Sequence, residues 1–94
     1  MAGAAAFDAT VYGRVQNVGF RYYACAEAKR LGVSGWIRNN PGGDVEIHAE
    51  GDGENLKKFA SWLNMGPPSG SVHHVDLHWS EPLGTYRGFT VEYC

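Results

Sequence analysis

The sequence predicts an α+β domain with a ferredoxin-like, split βαβ architecture, in which two helices cover one face of an antiparallel sheet. Apolar residues alternate with polar ones in several short segments, which is typical of strands, and recur at helical spacing in two longer segments. Turn-forming glycine, proline and asparagine residues separate these segments. The resulting order is β-α-β-β-α-β, with an extra piece of strand before the last one. We expect residues 7 to 94 to form a single domain that follows a flexible tail of residues 1 to 6.

The first strand and the first helix are joined by a glycine-containing turn. Phe7, Ala9 and Val11 alternate with polar residues, which predicts a half-buried strand. A helix is predicted over residues 20 to 31, with Gly32 at the position of a C-terminal cap. Its apolar stripe comprises Phe20, Ala24, Ala28 and Leu31.

A β-hairpin is expected after this helix. Residues 33 to 39 are predicted to form the second strand, and the Asn-Pro-Gly-Gly sequence at 40–43 requires a tight turn. In residues 44 to 50, apolar and polar side chains alternate again, which predicts a third strand paired with the second.

The second half of the chain repeats the helix and strand pattern. Asp52 can cap a second helix, whose apolar stripe is Leu56, Phe59, Ala60 and Leu63. The Gly-Pro-Pro sequence at 66–68 ends this helix. The fourth strand is predicted near residues 72 to 79, and the last strand contains Phe89, Val91 and Tyr93.

Composition excludes several classes of function. The formal charge of −2 provides no basic field to attract nucleic acid or an acidic membrane surface. No apolar run approaches the roughly 20 residues that a membrane-spanning helix needs, and residues 1 to 6 lack the pattern of a signal peptide. We therefore expect a soluble, cytoplasmic, monomeric protein. Its two cysteines, Cys25 and Cys94, can form at most one disulfide, and free thiols are expected in the cytoplasm.

The turn at residues 13 to 21 is a candidate anion site. Its two glycines and Asn17 tolerate backbone angles that other residues resist, and a helix that begins just beyond leaves its first N–H groups without helical partners. Arg21 adds a full positive charge and a planar fork that fits two oxygens of a phosphate or carboxylate. On residue types alone, a plain structural turn with a solvated arginine stays open. The sequence matches neither the Walker loop nor the dinucleotide fingerprint.

Four other groups of residues contain side chains with functional chemistry. Asn39 ends a predicted strand, where its carboxamide can hydrogen-bond a water, but on residue types alone an ordinary turn asparagine is the favoured interpretation. His74 and His78 would lie about 13 Å apart on a strand, too far to share one metal ion. Cys25 has no paired histidine, so it is expected to be a packed thiol. The aromatic strand at 87–93 resembles the signature of RNA-recognition modules. In those modules the signature lies on the third strand, whereas here it lies on the last strand, and the protein is acidic.

Two separated motifs resemble those of the acylphosphatases. The first is Val15-Gln16-Asn17-Val18-Gly19-Phe20-Arg21, and the second is Gly35-Trp36-Ile37-Arg38-Asn39. Gly32 and the closing Phe89-Thr90-Val91-Glu92-Tyr93 extend the likeness over nearly the whole chain from Phe7. The resemblance implies a ferredoxin-like fold and hydrolysis of the carboxyl-phosphate bond of small acyl phosphates, with no metal and no other cofactor.

The resemblance also implies roles for individual residues. Arg21 and the backbone N–H groups of Val15, Gln16, Asn17, Val18, Gly19 and Phe20 would hold the phosphoryl group, and Asn39 would position the attacking water. Inorganic phosphate would be the product and an inhibitor. The family usually has glycine at the position of Asn17, a departure that asparagine can accommodate because it tolerates left-handed angles.

Two alternatives accompany this hypothesis. The same turn could bind an anion without catalysis. The chain also resembles the acylphosphatase-like domain of hydrogenase-maturation proteins, although no further domain is expected here.

Overall fold

The computed structural model describes residues 3–92, which form two helices and five strands. The predictions made for Met1, Ala2, Tyr93 and Cys94 concern residues outside this described range. In chain order the elements are β1 (Ala4–Arg14), α1 (Phe20–Arg30), β2 (Ser34–Asn39), β3 (Val45–Asp52), α2 (Gly53–Met65), β4 (Ser71–Ser80) and β5 (Phe89–Val91). Within the described range, no helix is long and apolar enough to cross a lipid bilayer.

The five strands form one sheet in the order β4-β1-β3-β2-β5. Neighbouring strands are antiparallel except for β2 and β5, which are parallel. The predicted ferredoxin-like fold is thus confirmed, and its sheet is mixed rather than antiparallel throughout, because β5 pairs with β2 in parallel. The reason is the connection after β4: since β4 and β5 lie at opposite edges, residues 81–88 cross the width of the sheet and enter β5 in the direction of β2.

The first strand begins earlier than the sequence predicts. Ala4, Ala5 and Ala6 were expected in a flexible tail, but they pair with Asp52, Gly51 and Glu50 of β3. Ala6 is fully buried. Consecutive alanines give no alternation of apolar and polar side chains, so the sequence pattern does not predict that these residues pair with β3. Because Asp52 and Gly51 pair with Ala4 and Ala5, β3 also continues beyond its predicted end.

One apolar core joins both helices to the same face of the sheet. Phe59 of α2 lies at its centre, with its ring 6.2 Å from that of Phe7 on β1 and 5.6 Å from that of Phe89 on β5. Phe20 of α1 reaches the same cluster through Trp62. The predicted helix stripes pack here, with all their residues buried except the partly buried Ala60. Asp52 caps α2 as expected by accepting bonds from the N–H groups of Glu54 and Asn55. This core fixes the N-terminus of α1 relative to the sheet.

The opposite face of the sheet carries an ionic cluster, in which His48 and Glu50 are buried and Asp8 is exposed. The two ring nitrogens of His48 bond to Asp8 Oδ1 at 2.8 Å and to Glu50 Oε2 at 2.7 Å. The Glu50 carboxylate also accepts bonds from the N–H groups of Leu83 and Gly84, in the segment that crosses the sheet. His48 and Glu50 are only 7% and 4% exposed. The cluster therefore ties the crossing segment to β3.

The cluster shifts the protonation equilibria of both central residues. Burial alone would lower the pKa of His48, but the hydrogen bonds to Glu50 and Asp8 outweigh it and raise the pKa above its ordinary 6.5. Burial would raise the pKa of Glu50, but the bonds from His48, Leu83 and Gly84 lower it below its ordinary 4.5. The charged pair is therefore favoured in the folded state.

The stabilisation by this pair should depend on pH. Because the His48 pKa is raised, its contribution is complete below 6.5 and is lost as pH rises through the folded-state value. Because the Glu50 pKa is lowered, its contribution is complete above 4.5 and is lost as pH falls through the folded-state value. We expect the difference in unfolding free energy between the parent and His48→Gln to peak between pH 4.5 and 6.5. Urea denaturation at a series of pH values measures it.

His74→Gln is the matched control, since His74 pairs with Asp76 on the same face of the sheet but both side chains are more than half exposed. Exposed ion pairs contribute little to stability, so this variant should follow the parent profile. A His48→Gln difference that stayed constant with pH, or grew above pH 7, would contradict the expectation.

Candidate active site

The turn between β1 and α1 is shaped by residues with left-handed backbone angles. Asn17 has φ 63°, and Gly19 has φ 77° directly before the helix. Gly13 forms a bulge at the end of β1, where a Cβ atom would lie 2.2 Å from the backbone oxygen of Ser71. The predicted special backbone of this turn is therefore present, and Asn17 adopts the left-handed conformation that glycine would otherwise provide.

The N-terminus of α1 is open to an anion. Its first helical hydrogen bond runs from the N–H of Tyr23 to the carbonyl of Gly19, so the earlier N–H groups have no carbonyl of the helix to bond. Among the described residues no side chain caps α1, and its first turn contains no acidic residue. By contrast, α2 has both an Asp52 cap and Glu54 in its first turn. The positive end of the α1 dipole therefore faces the turn without a capping carboxylate of its own.

Strand alternation turns Asn39 toward the same region. Asn39 ends β2 and lies two residues after Ile37, which is fully buried beneath the helices. Its neighbour Arg38 points to the opposite face, where it bonds to Glu46 and stacks over Trp36. Asn39 is half-buried, and its side-chain oxygen is inaccessible to solvent. Its carboxamide thus lies on the helix-covered side of the sheet, next to the turn.

The side chain of Gln16 connects the turn to the β2–β3 hairpin. Its Nε2 donates to the carbonyl of Asn40 at 2.7 Å and to that of Asp44 at 2.9 Å. These carbonyls follow Asn39 and precede β3. The two bonds therefore fix the turn against the hairpin that carries Asn39. We expected Gln16 to contribute its backbone N–H, and the role of its side chain was not predicted; the donor groups of glutamine in a turn were the only signal in the sequence.

A cavity of about 450 Å³ opens between the turn, α1 and β5. Six of the predicted site residues line it, namely Val15, Asn17, Gly19, Phe20, Arg21 and Asn39. Gln16 and Val18 are not among its lining residues; Gln16 reaches the hairpin and Val18 packs against the core. The predicted arginine and asparagine therefore share one cavity, although they are far apart in sequence.

The remaining wall of the cavity was not predicted. It is formed by Tyr22, Cys25 and Lys29 of α1 and by Phe89 and Val91 of β5. The helical spacing from Arg21 through Cys25 to Lys29 is the signal that could have revealed the α1 side. Burial raises the pKa of the half-buried Cys25 thiol, although the charges of Lys29 and Arg21 oppose this rise.

The charge of the cavity is positive. Arg21 and Lys29 line it, whereas its lining residues within the described range include no carboxylate and no histidine. In the same range, no group of three or more histidine, cysteine, aspartate or glutamate residues is placed to hold a metal ion. The arrangement can bind an anion at the turn and place a carboxamide beside it.

Comparison with known proteins connects this geometry to a family. The sequence model of the family Acylphosphatase matches residues 7–91. The chain belongs to the acylphosphatase family. It is 48% identical to an acylphosphatase of Thermococcus kodakarensis over 81 residues, which cover 86% of this chain and 88% of the relative. The protein is accordingly an enzyme, and it hydrolyses acyl phosphates.

Solved structures agree with this assignment. The crystal structure of the acylphosphatase from Bacillus subtilis superposes with a TM-score of 0.91 at 35% identity, covering 95% of this chain and 99% of the other. Full-length HypF, in a phosphate- and nucleotide-bound form, superposes with a TM-score of 0.86 at 25% identity. That match covers 98% of this chain but 12% of HypF. Acylphosphatases thus share the arrangement of helices and strands that brings the turn and Asn39 together here.

Loss of the Gln16 bridge should impair catalysis. Gln16→Leu keeps the approximate shape but donates no hydrogen bond, so we expect a stability loss of about 1–3 kcal/mol from two bonds. The turn can then move relative to Asn39, and a displacement near 1 Å can lower the rate by up to about 10². We expect kcat/KM for benzoyl phosphate to fall about tenfold or more, measured where denaturation curves show both proteins folded.

Gln16→Glu tests the same two hydrogen bonds with a second substitution. An ionised carboxylate cannot donate to the two carbonyls, so this variant should be impaired at least as strongly as Gln16→Leu. Parent-like kcat/KM in Gln16→Leu would show that the bridge does not position the site.

Proposed function

We propose that this enzyme hydrolyses the carboxyl-phosphate bond of small acyl phosphates, with Arg21 and the turn's N–H groups holding the phosphoryl group and Asn39 positioning water. The observation that carries the proposal is the shared cavity, in which Arg21 and Asn39 lie beside an uncapped helix N-terminus. Family membership supports catalysis over anion binding alone.

The phosphoryl group would be bound by charge and by backbone dipoles together. Arg21 lies in the first turn of α1, where a positive side chain is disfavoured by the helix dipole and becomes favourable when an anion binds between the two. The guanidinium can make two parallel bonds to phosphoryl oxygens. The N–H groups of the turn and of the first helical residues add further donors without moving, because Gly19 and Asn17 already hold the backbone in place.

The chemistry requires positioning more than a strong base. A carboxylate is a good leaving group, so the phosphoryl transition state is loose and little bond formation to water is needed. The carboxamide of Asn39 can hydrogen-bond the attacking water, which aligns the attack. Because the described cavity lining has no carboxylate or histidine, a phosphoryl oxygen of the substrate receives the proton of the water. The products are a carboxylate and inorganic phosphate. The phosphate competes with the substrate for the same binding site, the turn of residues 15–21, which we call the cradle.

Asn17 places a polar side chain at this cradle. It lines the cavity at the position where the family resemblance leads us to expect glycine. Its φ of 63° is the left-handed conformation that glycine would readily adopt there, which supports an unchanged backbone path through the turn. We therefore propose that Asn17 narrows the cradle and affects the rate more than the type of reaction.

Removing the two side chains should have different consequences. Loss of one preorganised oxyanion donor typically costs about 10² to 10³ in rate, and Arg21 supplies two charged contacts, so Arg21→Ala should nearly abolish turnover of benzoyl phosphate. Asn39→Ala should lower kcat while phosphate still inhibits with a similar constant, because Asn39 acts on the water. Steady-state kinetics with phosphate as a competitor measures both effects.

Arg87→Ala and Asn64→Ala are the matched controls, because both residues are exposed and neither lines the cavity. They should retain the parent kinetics. If Arg21→Ala or Asn39→Ala hydrolysed benzoyl phosphate at the parent rate, the assigned residue roles would be wrong.

A further inference from the structure

The cavity contains a second cation that phosphoryl binding does not use. Lys29 lines the cavity on the same helix as Arg21, eight residues later. At a rise of about 1.5 Å per residue, the two Cα atoms are about 12 Å apart along the helix axis. The Cα–Cβ bonds of a helix tilt toward its N-terminus, so the long Lys29 side chain can extend back toward the turn. Its ammonium group can therefore face a substrate that extends from the cradle along α1.

Lys29 has no carboxylate partner within residues 3–92: it takes part in no ion pair there, whereas Glu27, two residues earlier, is paired with Arg30. The thiol of Cys25 lies between the two cations, and both Arg21 and Lys29 act electrostatically on it. The two positive charges thus influence one region of a protein whose formal net charge is −2.

The rest of the wall suits the carbon skeleton of a substrate. Phe89 is buried in the core beside the cavity and Val91 is half-buried, so β5 offers an apolar surface opposite α1. A substrate would then meet the cradle at its phosphoryl end, an apolar wall along its middle and Lys29 beyond. A second anionic group at the far end of the acyl moiety fits this order of contacts.

We propose that Lys29 determines specificity, favouring acyl phosphates whose acyl group carries a second anionic group, such as a distal carboxylate. The inference rests on the proposed function, because it assumes that the phosphoryl group occupies the turn. A contact made by an already charged distal group is the same in the ground and transition states. It should therefore lower KM for the dianionic substrate and leave kcat nearly unchanged.

A matched pair of substrates tests the proposal. Benzoyl phosphate and 4-carboxybenzoyl phosphate differ only in the distal carboxylate, so their kcat/KM ratio isolates that group. The parent should prefer the carboxylated substrate, and Lys29→Gln should reduce this preference about two- to fivefold, as expected for one ion pair made by an exposed side chain. The change should appear in KM, and the preference of the parent should weaken as ionic strength rises.

Two further variants separate a specific contact from a general charge effect. Lys29→Arg keeps a cation at the same position and should restore most of the preference. Lys58→Gln removes one exposed positive charge from α2, outside the cavity, and should leave the ratio unchanged.

The outcomes distinguish the two levels of the proposal. If the parent hydrolyses benzoyl phosphate and Lys29→Gln has the parent ratio, or if Lys58→Gln lowers the ratio equally, the specificity assignment is wrong and the proposed function stands. If the parent hydrolyses neither substrate, the proposed function itself is wrong.

Discussion

The two bonds donated by Gln16 join the two halves of the site, and the sheet makes them possible. Val45 begins β3 and pairs with Val11 near the end of β1 and with Asn39 at the end of β2. The turn after β1 and the β2–β3 hairpin therefore lie side by side at the same end of these three central strands. Gln16 closes the remaining gap, which gives Asn39 a fixed relation to the helix N-terminus. Preorganisation of this kind is what a reaction limited by positioning requires.

The two faces of the sheet have separate tasks. The face under the helices holds the apolar core and the cavity, so Arg21 acts beside low-dielectric walls that strengthen its attraction for an anion. The other face holds the cluster of Asp8, His48 and Glu50, which secures the segment that leads into β5. Since Phe89 and Val91 of β5 line the cavity, this cluster supports one wall of the site from the far side of the sheet.

Local patterns in the sequence were enough to predict the order of elements, both helix stripes, the Asp52 cap and the left-handed conformation at Asn17. Each of these depends on residues close together in the chain. The entry of Ala4 into β1 and the parallel pairing of β5 depend instead on backbone contacts between distant segments. The Gln16 bridge spans 24 and 28 residues, and no local periodicity encodes it. The shared cavity of Arg21 and Asn39 followed from the family resemblance, whereas its Lys29 wall required the structure.

The most direct measurement of the central claim is an ¹H–¹⁵N NMR titration of the enzyme with inorganic phosphate. Binding in the cradle predicts saturable shifts of the backbone amides of residues 15–21 and of the Asn39 side-chain amide. In Arg21→Ala the same shifts should require much higher phosphate concentrations. Saturable shifts confined to other surfaces, such as the histidine-bearing strand β4, or unchanged affinity in Arg21→Ala, would contradict a phosphoryl cradle at the N-terminus of α1.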